Sequence, residues 1–280
     1  MLAVIVINFG SPDRAIHFVQ NECAKIRAEH AVIVVDNAST DASFGRLKEE
    51  LPQAHVLRCM ENQGFARGNN QGVEYAMRHF KPSHILFSND DISFRDADVA
   101  DVLLNQMIHH PEVGIMGPQV VGLDGARQSP NPNYTFAQWY LWPTWGKLFY
   151  KKETLRKKLG KDYKQTAPEG YCGWVSGSFF MVDAEAFEKA GGFDPATFLY
   201  SEEQILSARF ARIGKSVYFY PHVTVIHEHE ATTKKHFGSK AIRWMEFESN
   251  SYYYREYVGT PSWQILFGRI TLWMNILRGK

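Results

Sequence analysis

The sequence predicts an α/β protein built on a mostly parallel sheet flanked by helices, and three observations carry that prediction. Leu2-Ala3-Val4-Ile5-Val6-Ile7 and Ala31-Val32-Ile33-Val34-Val35 are continuous, β-branched apolar runs, as in strands buried on both faces. Stretches of helical character separate these runs from each other and from a third, His84-Ile85-Leu86-Phe87. The second and third runs end in polar loops rich in acids and amides, at the strand ends where open α/β sheets take ligands.

In chain order, the first strand ends at Asn8-Phe9-Gly10-Ser11-Pro12, and a helix is expected from about 13 to 28. The second strand, 31–35, runs into Asp36-Asn37-Ala38-Ser39-Thr40-Asp41, followed by a helix to about 51 and a short strand over 55–58. The amide- and glycine-rich stretch 62–72 is expected as a loop, with a helix over about 70–79 leading to the strand before Asp90. A helix over 98–109 and a short strand over 113–117 follow. Residues 124–170, with Pro130, Pro132 and Pro143, many aromatics and a basic run, are expected as one long loop. Strand character returns over 174–182, then a helix over 184–190 stopped by Gly191-Gly192. The last elements of this part are a helix from about 202 to 213 and two short strands, 217–220 and 223–226. The second strand runs into the polar cluster His227-Glu228-His229-Glu230.

Composition excludes several classes of protein. A chain of 280 residues that is 45% hydrophobic and 22% charged can bury a full core. A net charge of +1 does not suggest a nucleic-acid binder. The charge is uneven: residues 231–280 hold eight Lys/Arg against three Glu, and residues 147–164 hold eight Lys/Arg against two acids. Cys23, Cys59 and Cys172 have neither metal-site nor paired spacing, so a reducing, cytoplasmic setting is expected. No leader segment is expected before the first strand, and no run is long enough to span a bilayer.

The chemistry concentrates at Asn89-Asp90-Asp91. Adjacent carboxylates repel and resist burial, and a hard cation such as Mg²⁺ or Mn²⁺ relieves both problems while taking its remaining oxygens from water and phosphate. The alternative is an ordinary Asn/Asp turn. Asp36 is either a turn or cap residue or an acceptor for a ribose or base edge. In the 62–72 stretch, Asn62, Gly64 and Asn70 suit close backbone approach and amide donation, and Arg67 suits a phosphate. Its spacing is neither a Rossmann fingerprint nor a Walker loop. Glu202-Glu203 opens a helix, where acids also serve as plain N-terminal charges.

Taken in order, these stretches resemble the family 2 inverting nucleotide-sugar glycosyltransferases of the GT-A fold, most closely their rhamnosyltransferase-like branch. The resemblance rests on Asn8 after the opening strand, Val35-Asp36-Asn37-Ala38-Ser39-Thr40-Asp41, the 62–72 stretch, and Asn89-Asp90-Asp91. Ser176-Gly177, Gly191-Gly192-Phe193-Asp194, Glu202-Glu203 and His227 complete it. It implies a catalytic domain over 1–230, with a nucleotide-binding half to about 120 and an acceptor-side half beyond, and a C-terminal helical extension over 231–280. It also implies that Asn8, Asp36, Asn37, Asn62, Gly64, Arg67, Asn70, Asp90, Trp174 and Asp194 serve the substrate. Asp91 and His227 would hold Mg²⁺ or Mn²⁺. Glu203, beside Glu202, would be the base that deprotonates the acceptor. The chain departs from the family pattern at three places: Glu203 stands where Asp is usual, Asn89 at the first position of Asp-x-Asp, and Asp183 where Arg is frequent.

The implied reaction moves a sugar, rhamnose by branch, from a nucleotide diphosphate donor to a glycan or lipid-linked acceptor in bacterial surface polysaccharide synthesis. An exposed Glu203 would need no pKa shift to be ionised at neutral pH. The competing readings are a nucleotide-sugar-binding protein without transfer, given the substituted acids, and a nucleotidyltransferase. Asn8-Phe9-Gly10-Ser11-Pro12 counts against the second because it lacks a lysine and a second glycine. Nothing in the sequence bears on oligomeric state. Over 262–278 the helical pattern is clear: Trp263, Leu266, Phe267, Ile270, Trp273, Met274 and Leu277 share one side, with Gln264, Gly268, Thr271, Asn275 and Arg278 opposite. The stripe either covers the catalytic core or lies on the cytoplasmic face of an anionic membrane.

Overall fold

The computed structural model describes residues 1–160, 162–228 and 238–278. His229 and Glu230, part of the expected polar cluster, lie outside the described residues. One sheet organises the molecule. Its strands are β1 (Leu2–Asn8), β2 (His30–Asn37), β3 (His55–Cys59), β4 (His84–Asn89), β5 (Ile92–Phe94), β6 (Val113–Gly122), β7 (Gly170–Tyr171), β8 (Phe179–Asp183) and β9 (Ser216–His227). They lie in the order β3-β2-β1-β4-β8-β6-β9-β5, with β7 on β9.

The first half, β3-β2-β1-β4, is parallel throughout, as the buried runs predict. Parallel register brings strand ends to one edge: Asn8 lies opposite Asp36, and Ile7 opposite Asn89. Beyond β4 the sheet is mixed, because β8 runs antiparallel to both β4 and β6, while β6 and β9 are parallel. Both faces are covered. Val4, Val6, Val34 and Leu86 pack on one side, and Ile5, Ile33, Val35 and Phe87 on the other.

Several boundaries differ from expectation. The first helix is α only over Pro12–His17, then widens to a π turn at Phe18–Glu22 and tightens to a 3₁₀ turn at Cys23–Lys25. Strand β6 is ten residues long, and the two expected short strands are one twelve-residue β9, because they pair with β6 across an irregularity at Pro118/Gln119. Residues 174–178 are not strand; the ladder begins at Phe179. The helix expected from residue 70 begins at Gly64. The expected loop 124–170 contains helical turns at Ala137–Leu141, Trp142–Trp145, Lys152–Lys158 and Tyr163–Thr166. These short turns are ordered by tertiary contact, which local sequence does not report.

A third core joins that segment to the C-terminal helices Ser239–Tyr253 and Ser262–Leu277. Phe136, Phe247, Tyr253, Tyr254 and Leu272 pack together with Ile205, and the Tyr254 hydroxyl donates to the Tyr134 carbonyl at 2.7 Å. The terminal helix does not bury its apolar stripe. Its small and polar side faces the protein: Gly268 and Thr271 are buried, Trp145 Nε1 donates to Thr271 Oγ1 at 2.9 Å, and Asn275 Nδ2 donates to Thr144 Oγ1 at 2.9 Å. Leu272 joins them. The apolar stripe faces outward, with Trp263 66% and Leu277 65% exposed. The core-covering alternative for that stripe is therefore corrected.

A Cβ on Gly268 would lie 2.5 Å from the Phe136 ring. Gly268→Leu is expected to destabilise the protein by about 1–3 kcal/mol through overpacking, despite the helix propensity gained. Leu266→Ala, on the outward side, should change stability by about 0.5 kcal/mol or less. Thermal or denaturant unfolding of the two variants checks this; the reverse ranking would mean that the helix packs by its apolar stripe.

Candidate active site

Strand register assembles one end of the site. Ile92 on β5 pairs antiparallel with His227 on β9, which carries the imidazole to Asp91. His227 Nε2 lies 3.2 Å from Asp91 Oδ1 and 3.5 Å from Asn89 Nδ2. On the other side of the ring, Nδ1 lies 2.7 Å from Gln128 Oε1. An amide oxygen only accepts, so Nδ1 carries the proton. On the opposite side Nε2 faces the buried Asp91 Oδ1. A second ring proton or a cation makes that contact favourable.

The acids beside it respond to their surroundings. Burial and the neighbouring Asp91 push Asp90 up to about 7. Burial also acts to raise Asp91, but the hydrogen bond and charge of His227, together with Arg14, outweigh it and hold Asp91 below the usual carboxylate range. Among the described residues no group of three or more His, Cys, Asp or Glu forms a protein-only metal cage. Asp91 and His227, 3.2 Å apart, could supply two ligands to a hard ion that draws the rest from water and phosphate.

Glu202 and Glu203 form the second acidic pair. The two residues before them, Tyr200 and Ser201, both have left-handed backbone, φ 75° and 70°. Each such non-glycine residue costs about 1–2 kcal/mol. The segment is clamped from two sides. Phe65 N donates to the Phe198 carbonyl at 3.0 Å, and Ser249 Oγ donates to the Leu199 carbonyl at 2.7 Å. Gly64, at φ 77°, makes the first clamp achievable, since a Cβ there would lie 2.1 Å from the Phe198 oxygen. Glu203 Oε1 accepts from Gly177 N at 2.9 Å. Glu202 is buried and Glu203 half-buried, and desolvation raises both pKa values. This corrects the expectation of an exposed, unshifted Glu203. The Gly177 N–H and the charge of Lys164 favour Glu203 over Glu202 as the member that ionises first.

Both pairs line one cavity of about 630 Å³. Asn37, Asn62, Gly64 and Phe65 form a wall, and Asn131, Trp139, Lys164, Trp174, Glu246 and Asn250 another. Nine buried side-chain polar atoms among the described residues lack a hydrogen-bond partner, and six belong to lining residues: Asp91, Asn131, Trp174, Ser201, Glu202 and Asn250. Buried polar atoms are normally paired, so this concentration marks a place for a polar ligand.

The structure does not bring every candidate here. Asn8 is fully buried and donates to Asp36 Oδ1 at 2.9 Å and Ser39 Oγ at 3.1 Å. Asp36 is also fully buried and outside the lining, with Oδ2 unpartnered. Asn37 braces the turn, donating to Asn62 Oδ1 at 3.0 Å and accepting from Gln63 N at 3.0 Å. Arg67, Asn70 and Asp194 stand away from the cavity. From the helix that starts at Gly64, Gly64 and Phe65 line the cavity, and Arg67 and Asn70 do not. Arg67 Nε donates to the Pro195 carbonyl at 3.1 Å, and Asn70 exchanges two hydrogen bonds with the Phe193 backbone. Asp194 accepts from Tyr252 and Tyr257 and pairs with Arg209. Gln128, Asn131, Trp139, Lys164, Glu246 and Asn250 were not singled out from the sequence. They arrive by long-range packing and carry no local motif; Ser176-Gly177 was the one visible signal for Glu203's partner.

With this geometry in place, comparison with known proteins is informative. A family model described as glycosyltransferase like family 2 matches residues 1–246. An N-acetylglucosaminyl-diphospho-decaprenol L-rhamnosyltransferase of Mycobacterium tuberculosis is 24% identical over 249 residues, covering 83% of this chain and 78% of that protein. Rhamnosyltransferase WbbL of Escherichia coli K12 is 25% identical over 252 residues, covering 87% and 89%. Among solved structures, the mannosyltransferase PcManGT of Pyrobaculum calidifontis, in complex with GDP-Man and Mn²⁺, superposes with a TM-score of 0.57 at 16% identity, covering 97% of this chain and 69% of that one. S. aureus TarS 1–349 in complex with UDP-GlcNAc gives 0.56 at 13% identity, covering 89% and 64%. These structures show the GT-A fold.

Asp194 serves as a test of which candidates are architectural. Burial acts to raise its pKa, but the hydroxyls of Tyr257 and Tyr252, the Ala196 N–H and Arg209 outweigh it, so it lies below the usual range. A lowered folded-state pKa adds stability above the unfolded value of about 4 and loses it as pH falls through the folded value. Asp194→Asn should cost about 3 kcal/mol or more at neutral pH, as for one partner removed from a buried ion pair. The gap between variant and wild type should close in acid. Urea unfolding at pH 7 and near pH 3 measures both; a gap independent of pH would remove the ion-pair account.

Proposed function

The chain belongs to the glycosyltransferase-like family 2 and is a glycosyltransferase; from that premise we propose that it moves a sugar, with inversion, from a nucleoside-diphosphate donor to a glycan or lipid-linked acceptor. The observation that carries this reading is the convergence in one cavity of the Asp91–His227 pair and the Glu202–Glu203 pair, beside the Asn37–Asn62 turn. The named activities of the M. tuberculosis and E. coli relatives favour rhamnose as the donor sugar, and the family resemblance adds deoxythymidine diphosphate as its carrier and a place in surface polysaccharide synthesis. UDP-hexoses are the alternative donors.

Each residue then has a task. Asn62, Gly64 and Phe65 hold the nucleoside against the wall that Asn37 braces. Asp91 and His227, with Asp90 beside them, would hold Mg²⁺ or Mn²⁺. When bound, that ion supplies positive charge opposite the negative charge growing on the leaving diphosphate. Glu203, fixed by the Gly177 N–H, takes the proton of the acceptor hydroxyl. The hydroxyl oxygen bonds to the anomeric carbon from the face opposite the diphosphate, whose C–O bond breaks with its electrons. Burial makes Glu203 a stronger base than a solvated glutamate, and Glu202 is the member that stays protonated beside it.

The outward stripe of the terminal helix extends the reading to location. Among the described residues no helix is long and apolar enough to cross a membrane. Trp263, Leu266, Ile270 and Trp273 are nevertheless all exposed on one side, and Leu148 and Phe149 are exposed on a segment whose Trp145 stacks on Phe267. Lys147, Lys151, Lys152, Arg156, Lys157 and Lys158 surround that second patch in sequence. Apolar anchors with interfacial tryptophans and a basic fringe suit an anionic lipid surface, on the cytoplasmic side where a lipid-linked acceptor would be met.

Two experiments test these readings. Glu203→Gln should lower turnover by roughly 10²-fold or more while leaving donor affinity within a few-fold, and Asp91→Ala should instead abolish Mn²⁺-dependent donor binding. Transfer assays and calorimetry with deoxythymidine-diphospho-rhamnose and UDP-sugars read both; donor binding or hydrolysis with no transfer to any acceptor would leave a binding protein. The combined variant Trp263→Ser, Leu266→Ser and Trp273→Ser should abolish co-sedimentation with anionic vesicles at an unchanged melting temperature. A wild-type protein that ignores such vesicles would sink the membrane reading.

A further inference from the structure

Lys164 has no assigned role, yet its position is unusual. It lies on the short turn Tyr163–Thr166 and is the one lysine or arginine among the described residues that line the cavity. Five carboxylates line the same space: Asp90, Asp91, Glu202, Glu203 and Glu246. Among the described residues the Lys164 ammonium makes no hydrogen bond or ion pair, and the acid that acts on it is Glu203. Burial pushes its pKa down, so the cation is partly dehydrated without a direct partner to offset that cost.

We propose that Lys164 binds the diphosphate of a lipid-linked acceptor, an inference that rests on the transferase reading above. The donor's diphosphate already has a matched place at the Asp91–His227 end. An acceptor that also carries a diphosphate meets an otherwise acidic cavity, and repulsion there needs a cation on the acceptor's side. Lys164 is that cation: it acts on Glu203, the residue that must reach the attacking hydroxyl, and the diphosphate of such an acceptor sits one sugar ring from that hydroxyl. The turn that holds it follows directly on Arg156, Lys157 and Lys158, the basic segment that would face lipid. The competing role is purely intramolecular, with Lys164 keeping Glu203 ionised and touching no substrate.

The two roles separate by acceptor charge. Transfer is measured from deoxythymidine-diphospho-rhamnose to undecyl-diphospho-N-acetylglucosamine and to neutral undecyl N-acetylglucosaminide, with wild type, Lys164→Gln and Lys164→Arg. The proposal expects Lys164→Gln to raise KM for the diphosphate acceptor at least about tenfold more than for the neutral one, with Lys164→Arg restoring most of the difference. Equal losses on both acceptors, with a displaced pH profile of kcat, would assign Lys164 to Glu203 alone and overturn the proposal. Calorimetric binding of undecyl diphosphate in metal-free buffer supplies a readout independent of turnover. Lys164→Gln should weaken it about tenfold, and equal affinity overturns the proposal even where no transfer is detected. Absence of transfer together with Lys164-dependent diphosphate binding would count against the transferase reading instead.

Discussion

The antiparallel pairing of Ile92 with His227 is the contact on which the site depends. It closes the far edge of the sheet, places an imidazole against Asp91, and leaves that imidazole held from behind by Gln128. The hairpin that presents Gln128 is itself hydrogen-bonded to β6, whose parallel partner is β9. A short strand of three residues thereby fixes the orientation of a ring, the tautomer of that ring and the surroundings of two carboxylates.

The same principle governs the other end of the cavity. A helix N-terminus with one buried and one half-buried acid is costly, and the strained backbone at Tyr200 and Ser201 adds to the cost. Clamps from the Gly64 turn and from Ser249 hold it in place. One clamp comes from the start of the helix Gly64–His79 and the other from the C-terminal helix Ser239–Tyr253, so the position of Glu203 is tied to two distant parts of the chain. The cavity wall also crosses residue 230, since Glu246 and Asn250 line it. A boundary drawn there divides the chain within one site.

At the C-terminus the preference is inverted. The helix Ser262–Leu277 buries Gly268 and Thr271 and leaves its tryptophans outside. Small residues let the helix approach Phe136 and Phe247 closely, and the Trp145 and Asn275 hydrogen bonds satisfy the polar groups that close approach buries. Helices usually bury their apolar side, whereas this one leaves Trp263, Leu266, Ile270 and Trp273 exposed.

The sequence by itself determined the parallel half of the sheet, because β-branched runs such as 2–7 and 31–35 admit few other structures. Through the resemblance of its motifs it also brought Asp91, Glu203 and His227 forward as candidates, and all three line one cavity. It did not determine the roles of Arg67, Asn70 and Asp194, which share those motifs but bond to the Phe193–Pro195 backbone, to Arg209 and to tyrosines. Nor did it determine the partial burial of Glu203, the arrival of Lys164, Asn131 and Asn250, or the side on which the last helix packs. Local pattern reports which face of an element is apolar. Which face meets the rest of the protein depends on contacts between residues far apart in the chain, and only the tertiary structure decided those.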